Sequence, residues 1–398
     1  MLALAVGGFG IGTGEFVTLG LLPNVAHGVH VSIPRAGNLV SAYALGVVVG
    51  APLLAALAVR VPRKKFLIGC AAAMAVFNLL SALAPNFGLL LAARFLSGLP
   101  HGAYFGVASV VAASLVPAER RTSAMAVVFA GLTVANIVGV PLATLIGQNF
   151  GWRLVYALVG VIQMVTVLAV STLVPNVKVE GEAAQPHIMD ELRAFKQPQI
   201  WLSLGIATIA SGGLFCTFSY ITPMMTHEAH YPAWAMTPLL AVFGLGMTAG
   251  VLLGSRWADR SLMKTLLWGI SAEGVVSALF FFGCRDKITA VIGIFLFAFA
   301  ALAIAPALQS RIVSLAGGAP NLAAASIQGG FNVSNSIGAW LGGLAIAAGW
   351  GYAAPNLLGA GLAAIGLSIA GYAAWLEVRK RSDRFTGAGG AALQASAD

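Results

Sequence analysis

Apolar runs long enough to cross a bilayer recur twelve times along this chain of 398 residues, and no other feature restricts its fold as strongly. They cover residues 1–22, 36–58, 65–84, 88–113, 123–147 and 152–174, then 200–224, 235–257, 264–283, 287–310, 322–347 and 353–377. Each is near the ~20 residues that carry a helix across a ~30 Å hydrocarbon core. With no water in that core, backbone donors and acceptors must pair internally, which leaves only helices or closed barrels. Barrel strands alternate polar and apolar residues over ~10 positions, whereas these runs are continuously apolar. The expected fold is all-α: a polytopic membrane protein of twelve transmembrane helices. Composition agrees, with 59% hydrophobic and 9% charged residues, against roughly 25% charged in a soluble domain. The first run lacks a basic n-region and an obvious cleavage site, so it reads as a retained helix rather than a signal peptide.

Basic residues in short loops stay cytoplasmic. Placing both termini inside puts 17 of the 22 Lys and Arg on the cytoplasmic face, leaving Arg35, Arg153, Arg285 and Lys287 outside and Arg94 within span 4. The expected location is the cell inner membrane. The net charge of +9 then reads as a topology signal with some contact to anionic lipid. Nucleic acid is a poor partner, because there is no soluble basic domain. Cys70, Cys216 and Cys284 all fall inside spans with no CxxC pair, so neither a disulfide framework nor a metal site is expected, and no cofactor.

The chain repeats itself. "LGVVVGAPLLAALAVRVPRKKFLIG" from residue 45 aligns with "LGMTAGVLLGSRWADRSLMKTLLWG" from residue 245, matching at Gly46/Gly246, Gly50/Gly250, Arg60/Arg260, Lys64/Lys264 and Gly69/Gly269 among others. A second correspondence, offset by 199, links Gly131 to Gly330, Asn136 to Asn335 and Gly139 to Gly338. The expected organisation is therefore two pseudo-symmetric six-helix bundles, 1–174 and 199–378, joined by a cytoplasmic linker at 175–198 and followed by a cytoplasmic tail at 379–398. Within the linker, Ile188, Leu192 and Phe195 have the spacing of a short surface helix, with a disordered connection as the alternative. Duplicated bundles suit transport, since they can rock about a shared site and expose it alternately.

Three motifs give the chain its resemblance to a twelve-helix transporter of the major facilitator superfamily, in its drug:proton antiporter group with the arabinose-efflux and chloramphenicol-resistance type permeases. "AALAVRVPRKK" between spans 2 and 3 resembles the family's GxxxDRxGRR cytoplasmic gate signature. It keeps Arg60, Arg63 and Lys64 but has Ala55, Val59 and Pro62 at the Gly, Asp and Gly positions. The second copy, "SRWADRSLMK", keeps Asp259 and Arg260. "RFLSGLPHG" in span 4 resembles the motif whose arginine, here Arg94, the family uses in proton coupling; Ser97, Pro100 and His101 are departures. "GLTVANIVGVPLATLIG" in span 5 resembles the antiporter motif, with Gly131, Gly139, Pro141 and Gly147 in place. The resemblance implies the major facilitator fold, and this last motif implies efflux.

The residues argue independently. Glu15 sits near mid-membrane in span 1, where a lipid-facing carboxylate is costly. Gly8, Gly12, Glu15 and Thr18 share one helical face, and the small residues let another helix approach, so the carboxyl faces inward. A sheltered acid of this kind suits a group that gains and loses a proton. Two readings stand: Glu15 alternately holds a proton and a substrate, or it is a permanently protonated packing residue bonded to span 5 or 11. Arg94 needs a partner, and His101, seven residues on, projects from the same face ~10 Å away. Both carry static alternatives, Arg94 bonding backbone carbonyls and His101 satisfying a backbone kinked at Pro100.

Gln328, Asn332 and Asn335 form a polar stripe in span 11, with Thr133 and Asn136 in the corresponding part of span 5. The stripe fits either a water-filled substrate cavity or bonding between helices. Phe215, Phe218 and Tyr220 in span 7 could stack on substrate or serve packing. Glu273 in span 9, the other buried acid, is expected to snorkel or pair near the inner surface.

The expected function is proton-coupled export of small organic molecules such as drugs, sugars or nucleosides, with substrate, protons and lipid as partners and the monomer as the working unit. A proton symporter for sugar or nucleoside uptake and a non-transporting membrane sensor are the rivals. Neither a Walker A motif nor clustered nucleophile pairs occur, so ATP-driven pumping and enzymatic catalysis are not expected.

Overall fold

The computed structural model describes residues 1–58, 61–117, 121–176, 195–316 and 320–394. Among the described residues the chain forms twelve membrane-length helical rods and no strand. In the first half these are α1 (Leu2–Gly20, continued by Leu22–Gly28), α2 (Ile33–Ala58), α3 (Arg63–Leu83) and α4 (Phe87–Ser114). Next come α5 (Arg121–Val134, the π turn Ala135–Gly139, then Val140–Phe150) and α6 (Trp152–Leu173). In the second half they are α7 (Pro198–Ile209, Gly212–Phe218 and Ile221–His227), α8 (Met236–Arg260) and α9 (Leu262–Gly283). The last three are α10 (Lys287–Ala303 and Ala305–Ala316), α11 (Pro320–Ala347) and α12 (Ala354–Gln394).

Several helix ends follow from local chemistry. Asn86 Oδ1 accepts the Leu89 N–H at the start of α4, and Ser261 Oγ accepts the Lys264 N–H at the start of α9. Asp286 Oδ1 accepts the N–H groups of Ile288 and Thr289 before α10. These side chains satisfy donors that an initial helical turn leaves free. The same bonds hold the exposed Asp286 carboxyl below the usual carboxylate range. Gly151, at φ 93°, makes the sharp passage from α5 to α6 in a conformation that costs other residues energy.

Helix pairing repeats from one half to the other. In the first half α2 packs on α4, α3 on α6 and α1 on α5; in the second, α8 packs on α10, α9 on α12 and α7 on α11. The halves meet through α2 with α11 and α5 with α8. Their polar contacts gather toward one end of the bundle. There Ser41 and Ser336 each donate to the other's carbonyl, at 2.9 and 3.2 Å, and Thr222 donates to Leu19 O at 2.8 Å. Gln148 donates to Ala233 O at 2.8 Å. Residues Gly10–Leu22 and Ala210–Met225 are buried throughout, whereas α1 and α7 become partly exposed toward their N-terminal ends. Among the described residues, α1 and α7 are thus enclosed most completely toward the end where the halves are bonded together.

Two expectations need correction. Arg311, expected in a cytoplasmic loop, lies inside α10 at 4% exposed. It pairs with Glu377 at 2.7 Å and donates to Gln199 at 2.8 Å and Ser203 at 3.1 Å. Glu273 does not snorkel: it is wholly buried, with its carboxyl set against the α7 backbone at Gly213 and Leu214. The last helix continues beyond the apolar span, from Ala354 to Gln394. Most of the expected linker, including Ile188 and Leu192, lies outside the described residues, as does Arg60.

Candidate functional site

α1 lies close against α5 because glycines remove the side chains that would keep them apart. A Cβ on Gly8 would stand 2.7 Å from Val128 O, and one on Gly12 would stand 2.9 Å from the Ala135 Cβ. From the other side, a Cβ on Gly131 would run into the Ala5 carbonyl, and one on Gly139 would reach Thr13 Oγ1 at 2.5 Å. This contact directs Glu15 toward the second half of the molecule. Its side chain is 7% exposed, and Oε1 accepts from Asn335 Nδ2 on α11 at 3.3 Å.

Arg94 on α4 is completely buried, and none of its three guanidinium nitrogens has a hydrogen-bond partner. Aromatic faces surround it instead: the Tyr43 ring lies 4.4 Å and the Tyr156 ring 5.4 Å from its central carbon. A desolvated cation over an aromatic face gains ~2 kcal/mol or more. Glu15 stands within electrostatic reach but makes no direct ion pair with it. The two tyrosine hydroxyls extend the cluster. Tyr43 Oη shares a hydrogen bond with His101 Nδ1 at 3.1 Å, and Tyr156 Oη shares one with Thr18 Oγ1 at 2.8 Å. Glu15, Thr18, Tyr43, Arg94, His101 and Tyr156 thus form one polar cluster inside the first half, tied to the second half through Asn335.

The other residues singled out from the sequence lie in varied settings. Asn332 donates to Gln328 O on its own helix at 3.0 Å, and Asn136 donates to Leu132 O at 3.1 Å. Gln328 and Thr133 are exposed. Phe215 is buried, and its neighbour Phe218 stacks on Phe243 with centroids 3.9 Å apart. Tyr220 belongs to the sealed seam: it donates to Ala339 O at 2.8 Å and fills the space beside Gly37 and Gly343. Pro141 opens the last piece of α5 directly after the π turn, and Gly147 packs beneath Leu21. Arg63 and Lys64 begin α3, while Asp259 and Arg260 end α8, both exposed.

Tyr43 and Tyr156 were missed from the sequence. Each lies on a span with no spacing relation to Arg94, and the only available signal was that a tyrosine deep in a span needs a partner for its hydroxyl. The Arg311, Glu377, Gln199 and Ser203 cluster was missed because Arg311 was placed beyond the end of span 10.

The family model of the Major Facilitator Superfamily matches residues 4–325. The inner membrane transport protein YdhP of Escherichia coli O157:H7 is 39% identical over 369 residues, spanning 93% of this chain and 94% of that protein. A chloramphenicol resistance protein of Streptomyces lividans is 32% identical over 343 residues, spanning 84% and 86%. Among solved structures, a bacterial homologue of the human lysosomal transporter Spinster, crystallised in an inward-facing and occupied conformation, superposes with a TM-score of 0.74. That match has 17% identity and covers 94% of this chain and 96% of that one.

Proposed function

The chain belongs to the Major Facilitator Superfamily, and from that premise we propose that this membrane transporter exports small organic molecules in exchange for protons. The observation carrying the proposal is the hydrogen bond between Glu15 and Asn335, which ties an acid of the first half to the second half. A carboxyl there can exist in two states, and each state alters the contact between bundles that must part for alternating access. Arg94 supplies a fixed positive charge nearby, and Tyr43 joins it to His101, with its ring over the guanidinium and its hydroxyl on the imidazole. The chloramphenicol resistance protein of Streptomyces lividans supports the efflux direction, as does the resemblance of Gly131, Gly139, Pro141 and Gly147 to the antiporter motif. With the basic loops placed inside, the end at which the halves are bonded together faces outward in this reading. In this reading the protein acts as a monomer in the inner membrane, with both termini cytoplasmic.

The test uses the full chain in liposomes with an imposed pH difference, with chloramphenicol and a panel of sugars and nucleosides as probes. The wild type should move a probe against the proton flow. Glu15→Gln should fold normally yet lose gradient-driven movement while retaining passive exchange. Full gradient-driven export by Glu15→Gln would overturn the coupling role, and co-movement of probe and proton in the wild type would overturn antiport.

A further inference from the structure

A groove of about 450 Å³ runs along the outside of the second half, between α8, α9 and α10, at the end of the bundle away from the sealed seam. It lies apart from the Glu15 cluster. Its mouth carries Arg260, Ser261 and Lys264, and its deeper walls are Trp268, Gly269, Ala272, Phe299, Ala300 and Ala303, with Trp257 alongside. The groove wall is almost entirely apolar, and Arg260 and Lys264 border it through their stems, so that their charges stand at its rim. From Lys264 to Ala272 is eight helical residues, or ~12 Å, most of one leaflet's ~15 Å share of the hydrocarbon core.

We propose that this groove holds one anionic phospholipid, with its phosphate between Arg260 and Lys264 and an acyl chain against the small residues behind them. Charge complementarity selects this occupant. Arg260 and Lys264 are exposed and neither makes an ion pair among the described residues, while Asp259 does not line the groove. Ser261 begins α9, so the positive end of that 22-residue helix's dipole lies beside the same mouth. Below the cations, Trp257 and Phe299 meet edge to face at 6.0 Å and form one wall, and Trp268, 76% exposed, forms the other. Tryptophan at that depth is suited to the level of the headgroups. A soluble partner would find cations over an apolar slot buried in the bilayer; a phospholipid has the same order of groups along its length.

The internal repeat sharpens the assignment. The first half keeps the two cations as Arg60 and Lys64 but has Leu57, Ile68 and Leu99 where the second has Trp257, Trp268 and Phe299. The basic pair alone is a feature of both loops, whereas the aromatic walls belong to the second half alone.

The experiment is native mass spectrometry of the full chain released from micelles that contain equal amounts of phosphatidylglycerol and phosphatidylethanolamine. The wild type should retain one phosphatidylglycerol in preference to phosphatidylethanolamine. Arg260→Gln/Lys264→Gln should reduce that retention by about tenfold or more, as expected for two cations near an anionic headgroup. Trp268→Ala should weaken it further without restoring phosphatidylethanolamine. Arg63→Gln/Lys64→Gln, which removes charge from the other loop, should leave it unchanged. Undiminished retention in the Arg260/Lys264 variant, equal retention of both lipids by the wild type, or equal loss in the Arg63/Lys64 variant would each overturn the site. All the substituted side chains are at least partly exposed, and an unchanged unfolding temperature shows that the variants fold.

Discussion

Arg94 presents five N–H donors to a pocket in which no protein oxygen accepts them. Its charge is held by the π faces of Tyr43 and Tyr156 and by the field of Glu15. A guanidinium stacked in this way keeps its donors uncommitted. Tyr43 serves two purposes that substitution can separate, since its ring faces Arg94 while its hydroxyl meets His101. Tyr43→Phe removes only the hydrogen bond, a loss of about 1 kcal/mol. Tyr43→Leu also removes the aromatic face and should cost about 2 kcal/mol more. Unfolding of the purified variants in one detergent reads the difference, and equal losses would show that the ring does not hold the charge. From the sequence, Arg94 was visibly a cation in need of a partner. That the partner would be aromatic was not visible, because the rings come from α2 and α6 and only the packing of spans brings them together.

The α5 helix shows what an element adds to its residues. Pro141 lacks a backbone donor, and the chain absorbs the interruption in the π turn Ala135–Gly139 immediately before it. The turn rotates Asn136 and Gly139 relative to a regular helix while Gly131, one turn earlier, keeps α5 against α1. Gly131→Ala would press a methyl group onto backbone atoms of α1, which cannot swing aside as a side chain can. The expected loss is about 1–3 kcal/mol. Gly69→Ala, with nothing within 4 Å of the added carbon, should raise stability by about 0.5–1 kcal/mol by relieving the entropy cost of a mid-helix glycine. Thermal unfolding of both variants would expose a mistaken contact if Gly131→Ala proved as harmless as Gly69→Ala. The twelve rods themselves were legible, because hydropathy over twenty residues reflects the solvent each must satisfy. The breaks in α1 and α7 and the π turn were not, since they depend on single backbone hydrogen bonds and on neighbouring helices that compensate for them.

Across the whole molecule, the repeat in the sequence foretold two bundles built alike, and the matched pairings α1 with α5 and α7 with α11 follow it. Glu15 was recognised as an inward-facing acid from its glycine-rich face alone. Which end of the bundle would be bonded shut lay beyond the sequence, because hydropathy and spacing fix the helices without fixing which of their ends meet. The seam gives the question a chemical handle. Ser41 and Ser336 donate to each other's carbonyls across the two halves, so their side chains are already adjacent. Cysteines at both positions should join under mild oxidation, with little competition from Cys70, Cys216 and Cys284, all of which are buried. If transport requires the halves to part at this end, Ser41→Cys/Ser336→Cys should stop moving probe once oxidised and recover when reduced, while each single variant remains active throughout. Continued transport at the reduced rate by fully cross-linked protein would mean that the passage does not run through this seam, and the alternating-access reading would fail with it.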